Sequence, residues 1–272
     1  MADKERIDIL LVEHGHYESR EKAKAALMAG LVLVNGERID KSGTKVSRTA
    51  EITVKGAVHP YVSRGGLKLE KAIRHFGLNL EGCVMLDIGA STGGFTDCAL
   101  QNGASYVYAV DVGYNQLDWS LRQDSRVLVM ERTNFRYTQP GDLTGPPPTF
   151  ATIDVSFISL KLILPPLSGV IEPGSGVVAL IKPQFEAGRD KVGKSGVVRD
   201  AAVHAEVLSS ILGFAGELGF GLHGLTFSPI TGGEGNIEFL AYWKWRDGEA
   251  NVPDSAAIDA LVAEARGTFT AG

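Results

Sequence analysis

The feature that most narrows the choice of fold is an alternation that begins near Val84. Short apolar runs of strand length occur at Val84 to Ile88, Tyr106 to Val110, Val127 to Met130, Thr149 to Ile153, Val177 to Ile181 and Ile237 to Trp243, with helical patterns between several of them. Strands that alternate with helices are joined by crossovers, which builds a largely parallel sheet covered by helices. The clearest intervening helix is Ala201 to Leu218. A terminal helix is expected over Asp254 to Arg266, where Ile258, Leu261, Val262 and Ala265 share a face. The fold class expected is therefore α/β, a doubly wound Rossmann-like sheet.

The first 60 residues do not follow that rhythm. Ile7, Leu10, Leu11 and His14 have helical spacing that ends at Gly15, and Ser19 is an N-cap for a second helix carrying Arg20, Lys22 and Lys24, stopped by Gly30. Leu31 to Val34 reads as a strand, Asn35-Gly36 as a hairpin turn and Glu51 to Val54 as a further strand. Arg20 and Lys24 lie four apart and so on one helix face, as docking against phosphates requires. This gives a small α+β domain over residues 1–60, with Gly56 to Pro60 as its link, followed by the large domain over residues 61–272.

Up to Leu80 there are 14 Lys+Arg against 10 Asp+Glu, and beyond it 13 against 22, so a basic front end precedes an acidic body although the net charge is −5. Such polarity points to a polyanionic partner. Apolar runs such as Leu160 to Ile171 are broken by Pro165 and Pro166, short of the ~20 residues of a spanning helix. The run Ile9 to Val12 is too short for a signal peptide, so the chain reads as cytoplasmic. Cys83 and Cys98 have no metal-ligand spacing and read as reduced thiols, and no metal is expected.

The chemistry is concentrated at strand ends, where open α/β sheets build their sites. Strand Val84 to Ile88 runs into Asp87-Ile88-Gly89-Ala90-Ser91-Thr92-Gly93-Gly94-Phe95, a glycine loop that lets the backbone approach a ligand ahead of a helix N-terminus. Asp111 ends the next strand and is placed to accept hydrogen bonds from a ribose diol, with Val112 beside it. Ser91 stands where a dinucleotide fingerprint needs its second glycine, which disfavours a nicotinamide enzyme. Thr133 and Asn134 follow the third strand and are adenine-side candidates. Gly188-Arg189-Asp190-Lys191-Val192-Gly193-Lys194-Ser195 matches the phosphate-loop pattern, but Lys182 to Ala187 separate it from its strand and no helix starts before about Asp200, so it reads as a decoy.

Lys182 closes the strand Val177 to Ile181, and Asp154 follows Ile153 at another strand end. Glu238 sits early in the expected last strand, where an ionised carboxylate needs partners, and Lys68 supplies a second cation. Two lysines and two carboxylates suit methyl transfer to a poorly acidic hydroxyl. Lys182 is the candidate general base, a role for which burial and a neighbouring Lys68 would have to favour its neutral form; Asp154 holds it, while Lys68 and Glu238 fix the acceptor.

These residues carry a resemblance. The first domain, with its basic helix and then Ala29-Gly30-Leu31-Val32-Leu33-Val34-Asn35-Gly36, resembles the S4-type RNA-binding domain. Lys68, Asp154, Lys182 and Glu238 resemble the Lys-Asp-Lys-Glu set of FtsJ-like ribose 2′-O-methyltransferases. Together with Tyr61-Val62-Ser63-Arg64-Gly65-Gly66-Leu67-Lys68-Leu69, Asp111-Val112-Gly113-Tyr114, Lys182-Pro183-Gln184-Phe185-Glu186 and Gly196-Val197-Val198-Arg199-Asp200, nearly the whole chain is similar to the TlyA family, often labelled haemolysin. The resemblance implies a Rossmann-like methyltransferase sheet and S-adenosylmethionine bound through Asp87, Gly89, Ala90, Ser91, Gly93, Gly94, Phe95, Asp111, Val112, Thr133, Asn134 and Asp154. It also implies methylation of cytidine 2′-hydroxyls in ribosomal RNA or ribosomal subunits; composition, with neither a spanning run nor a strongly basic amphipathic helix, argues against a membrane partner. Arg20, Lys22, Lys24 and Arg64 are the candidate RNA contacts. One departure is His59-Pro60-Tyr61-Val62, where some members have Arg-x-Trp-Val. The rival readings are a membrane-active haemolysin and an RNA-binding, cofactor-sensing module without turnover.

Overall fold

The computed structural model describes residues 4–14, 16–17, 19–54, 59–247 and 252–270. The chain divides into two compact units, residues 1–60 and 61–272.

In the first unit, β1 (Lys4–Arg6) pairs with β4 (Lys45–Ser47), and β2 (Val32–Val34) lies between β3 (Glu37–Arg38) and β5 (Ile52–Val54), all antiparallel. Helices α1 (Ile7–Glu13) and α2 (Arg20–Met28) bury Ile7, Leu10, Leu11, Ala23 and Leu27 against Val32. Ser19 caps α2, accepting a hydrogen bond from the Lys22 amide at 3.3 Å. Asn35 and Gly36 both have positive φ, 52° and 84°, the signature of a two-residue hairpin turn that matches strand twist. The expected strands each lose their first residue, and β1, β3 and β4 are additions to the expected set, because their largely polar sequences lack the apolar run that marks β2 and β5. The expected stop at Gly15 and link positions 56–58 lie outside the described residues.

Arg20 has a structural partner. Its guanidinium donates to the fully buried Asp8 carboxylate at 2.9 Å, and Arg6 donates to the same group at 2.9 Å. The Arg6 hydrogen bond is the main reason that the Asp8 carboxyl is held down at about 2. Arg20 thus locks α2 to α1, a structural role in addition to its place among the candidate RNA contacts. Lys22 is exposed and Lys24 half-buried on the same helix.

The second unit is a seven-stranded sheet in the order β11-β12-β10-β9-β6-β7-β8. Its strands are β6 (Val84–Ile88), β7 (Tyr106–Val110), β8 (Val127–Met130), β9 (Phe150–Ile153), β10 (Gly176–Ile181), β11 (Phe220–Phe227) and β12 (Phe239–Trp245). Only β12 runs against the other six, pairing antiparallel with β10 and β11. Side chains alternate across the sheet. Leu86, Ile88 and Ala179 join the core under α6 (Leu164–Ser168), α8 (Ala201–Leu218) and α9 (Ser255–Thr270), while Met85, Val178 and Leu240 join the core under α3 (Gly66–Phe76) and α4 (Gly94–Gln101). Two short helices, α5 (Trp119–Arg122) and α7 (Pro183–Glu186), occupy loops after strands.

Three sequence expectations change. The last strand starts two residues later than expected, so Glu238 lies just ahead of it. Strand β11 is absent from the expected set because Gly221, His223 and Gly224 interrupt its apolar pattern; the register shifts there between Leu222 and Gly224. Helix α8 is long and apolar enough to meet a spanning criterion, but His204, Val207, Leu208, Ile211, Leu212 and Ala215 are buried within the unit, which accounts for its apolarity.

Candidate active site

Topology explains how four distant residues meet. Parallel strands β9 and β10 deliver the residues that follow them, Asp154 and Lys182, to one edge of the sheet. Because β12 runs the other way, the residue that precedes it, Glu238, arrives at that same edge. Lys68 reaches in from the first turn of α3. The Lys182 ammonium lies 2.6 Å from Asp154 Oδ1, and Lys68 lies 3.5 Å from Asp154 Oδ2 and 2.7 Å from Glu238 Oε2. Lys182 also donates to Ser156 Oγ at 3.2 Å.

The charges compensate one another. Burial alone would push the Asp154 carboxyl up, yet the two ammonium groups hold it below its ordinary value. Burial alone would lower Lys68, yet Asp154 and Glu238 raise it. Lys68 is clasped by two carboxylates, one of them Glu238, the carboxylate expected to need a cation partner. Gln184, on α7, donates to Glu238 Oε1 at 3.3 Å.

Two cavities share a wall here. The first, about 410 Å³, is lined by Gly89, Ser91, Asp111, Val112, Thr133 and Asn134 among others. The second, about 460 Å³, is lined by Arg64, Lys68, Lys182, Gln184, Asn236 and Glu238 among others. Gly89, Ser91, Asp154, Ser156 and Phe157 line both. Gly89 has φ +88°, and a Cβ there would run into the Asp154 carbonyl, so only glycine lets β6 turn beside β9. Ser91 adopts a left-handed φ of 50°, its amide donating to Asp111 Oδ2 at 2.8 Å, while Gly113 donates to Oδ1 at 2.7 Å. Each Asp111 oxygen keeps a lone pair for a ligand.

Not every expected ligand-binding residue reaches the first cavity. Asp87 is fully buried, accepting from Thr96 Oγ1 at 2.6 Å and Thr152 Oγ1 at 2.9 Å, and burial raises its carboxyl to about 6. Ala90 and Phe95 belong to the core under α3 and α4. Gly93 faces Leu121 and Leu117, and Gly94 faces Ser63 and Gly66. These five shape the loop from behind. Arg64, expected among RNA contacts, lines the second cavity.

Several residues at the site lie outside the expected set. Phe157 is 91% exposed with φ +62°, its ring 4.9 Å from that of Phe185. Glu186 anchors this segment from α7, accepting from Ser159 Oγ at 2.5 Å and from the Leu160 amide at 2.8 Å. Nothing in the sequence marks a left-handed Phe, although Phe157 follows Asp154 closely. The phosphate-loop pattern is a decoy in three dimensions too: helix α7 precedes it, and the Gly193 and Gly196 amides donate to Val197 and Gly193 carbonyls, not outward.

A doubly wound sheet with one reversed strand, a glycine loop over one cavity and a charge-compensated lysine–carboxylate set in the next defines a group-transfer enzyme of the methyltransferase type. Residues 61–245 match the FtsJ-like methyltransferase model, and residues 5–52 match the S4 domain. The chain is 62% identical to YqxC of Bacillus subtilis, named as a candidate rRNA methyltransferase, over 90% of this chain and 87% of that one. It is 42% identical to the 16S/23S rRNA (cytidine-2′-O)-methyltransferase TlyA of Mycobacterium tuberculosis over 89% and 90% of the two chains. A solved structure from Streptococcus thermophilus, labelled a candidate hemolysin, shares 54% identity and a TM-score of 0.79, covering 100% of this chain and 98% of that one. The chain belongs to the FtsJ-like methyltransferases, in the S4-bearing TlyA family.

Proposed function

We propose that the protein transfers a methyl group from S-adenosylmethionine to the 2′-oxygen of a cytidine ribose in ribosomal RNA, in the cytoplasm. The observation that carries this reading is the shared wall: Asp154 lines the first cavity and bonds both lysines of the second. The first cavity has the size of a small-molecule site, ~300–1,000 Å³, and joins apolar walls at Ile88, Val110 and Phe135 to the open lone pairs of Asp111, a match for an adenosine and its ribose diol. S-adenosylmethionine held there supplies an electrophilic methyl group on a sulfonium.

The chain's own residues do the rest. Lys182, as the neutral amine left once its ammonium has given a proton to solvent, faces the acceptor hydroxyl and takes its proton as the oxygen becomes nucleophilic. Asp154 keeps Lys182 in place. Lys68 and Glu238 hold the ribose and stabilise the developing negative charge. Phe157, exposed at the rim of both cavities, offers an aromatic face on which an unstacked base rests. The S4 domain supplies a second RNA-contacting module, with Lys22 and Lys24 on one helix as its cationic contacts.

Methyl mapping on ribosomal RNA from a strain lacking the protein tests this. Loss of cytidine 2′-O-methyl groups, restored by the intact gene and not by a Lys182→Ala copy, is the expected outcome. Unchanged methylation would refute the reading; cofactor binding without methyl release would favour the sensing module instead, and leakage of liposomes by the purified protein the haemolysin.

A further inference from the structure

Two loops form the far side of the second cavity: Gly196 comes from the segment before α8, and Gly232, Gly233 and Glu234 from the segment before β12. One side chain joins them. Asn236 is 3% exposed, and its Oδ1 accepts from the Val198 amide at 3.1 Å while its Nδ2 donates to the Gly196 and Gly233 carbonyls at 2.9 and 3.0 Å. The orientation of the amide is unambiguous, since a flip would set its oxygen against two carbonyls. Its backbone carbonyl also accepts from the Gly232 amide at 2.8 Å, closing a tight loop over residues 232–236.

This loop bears directly on Glu238. A Cβ built on Gly232 would collide with Glu238 Oε1, so Gly232 is the wall against which that carboxylate rests opposite Lys68. The Glu238 carbonyl accepts from the Ser228 amide at 2.8 Å, which fixes the backbone, while Lys68, Gln184 and the Gly232 wall place the side chain. The second loop is braced from behind: His204 Nε2 donates to the Val198 carbonyl at 3.2 Å, and its ring meets Phe239, the residue after Glu238, edge to face at 5.8 Å.

We infer that Asn236 is a positioning residue for methyl transfer: its side chain ties the 196–198 and 232–236 segments into one rigid wall that holds the Glu238 carboxylate on Lys68 and sets the shape of the acceptor cavity. The inference rests on the methyl-transfer reading above. It assigns Asn236 no part in cofactor binding, because Asn236 and Gly232 line only the second cavity, and no contact with the reacting atoms, because its side-chain amide is engaged by three backbone groups.

Two substitutions separate positioning from folding. Asn236→Ala removes the tie. Gly232→Ala leaves every Asn236 hydrogen bond in place, suits the local φ of −72°, and displaces the Glu238 carboxylate alone. With ribosomal RNA as acceptor, both are expected to lower the single-turnover rate by about 100-fold, the effect of an ångström-scale misplacement, while S-adenosylmethionine affinity by calorimetry stays at the parental value. The Gly232→Ala melting temperature should fall, since Glu238 is pushed off Lys68, but the variant should remain folded at the assay temperature. Near-parental rates in Gly232→Ala would overturn the inference, even if Asn236→Ala proved too unstable to assay. So would a joint loss of rate, cofactor affinity and melting temperature in both variants, which marks a merely structural residue. A parental protein that transfers no methyl to ribosomal RNA would sink the underlying reading, and the inference with it.

Discussion

Replacing Lys182 with Met keeps most of the aliphatic stem and removes the ammonium, which makes it the sharpest probe of the site. Positioned base catalysis is worth about 10²–10⁴-fold, so the barrier should rise by about 3–5.5 kcal/mol. Stability sets the control. Breaking a buried ion pair costs about 3–5 kcal/mol when the surviving charge is left alone, but here Asp154 retains Lys68 at 3.5 Å, so the loss should fall at or below the lower end of that range. Cofactor affinity should remain within a few-fold, since Lys182 lines the second cavity and not the first. Tritium transfer from labelled S-adenosylmethionine to ribosomal RNA measures the rate, and calorimetry measures the affinity. Turnover within tenfold of the parent, in a folded variant that still binds cofactor, would remove Lys182 from the proton-transfer step.

Asp111→Ala should weaken S-adenosylmethionine binding by about 10–100-fold, because charge-assisted hydrogen bonds contribute roughly 1.5–3 kcal/mol; an unchanged calorimetric affinity would place the ribose elsewhere. Asp87 has a carboxyl raised to about 6, so its folded-state contribution is fully present below about pH 4 and is lost as pH rises through 6. Asp87→Asn should therefore be the more stable protein at pH 7.5, by up to about 3 kcal/mol in denaturant titrations, with the advantage gone near pH 4; a pH-independent difference would mean that the carboxylate is solvated. For Asp8 the sign reverses: its carboxyl is held at about 2, so stability present above about pH 4 is lost as pH falls towards 2. Hydrogen exchange in α1 and α2 should accelerate over that window and, at neutral pH, in Arg20→Ala; protection that does not change in either case would show that the buried ion pair is not what joins the helices. Lys22→Ala with Lys24→Ala should flatten the salt dependence of RNA binding by about one unit of log–log slope for each phosphate that is no longer neutralised, without changing cofactor affinity. An unaltered slope would exclude this helix face from docking.

What is legible in the sequence follows from strong local signals. Six strands of the large sheet can be read because β-branched runs of about five residues between turns have few alternatives, and Asp111 and Lys182 stand out because strand ends in such sheets are where ligands sit. What is not legible depends on long-range packing. Nothing local distinguishes Asp87, turned inward to two threonines, from Asp111, turned towards a cavity; both are aspartates near the ends of adjacent strands. Arg20 has the spacing of a phosphate-binding arginine, but its partner, Asp8, lies on another helix. Glu238 reads as part of a strand that starts two residues too early, although the reversal of that strand is what brings it to Lys68. Asn236 and Phe157 give no signal at all, since a hydrogen-bonding tie between loops and a left-handed aromatic are set by the surrounding backbone.

The layout of the two cavities has an evolutionary consequence. The first is built entirely from residues 88–163, one continuous stretch, whereas the second draws on segments from residue 64 to residue 238 and depends on the strand laid into the sheet last in chain order. Substitutions between α7 and β12 can therefore retarget the acceptor while the donor pocket is inherited unchanged. During synthesis the order is the same: a nascent chain that ends before Phe239 already carries every residue of the donor pocket but lacks the strand that seats Glu238 on Lys68. Reactivity thus waits for the C-terminal part of the chain.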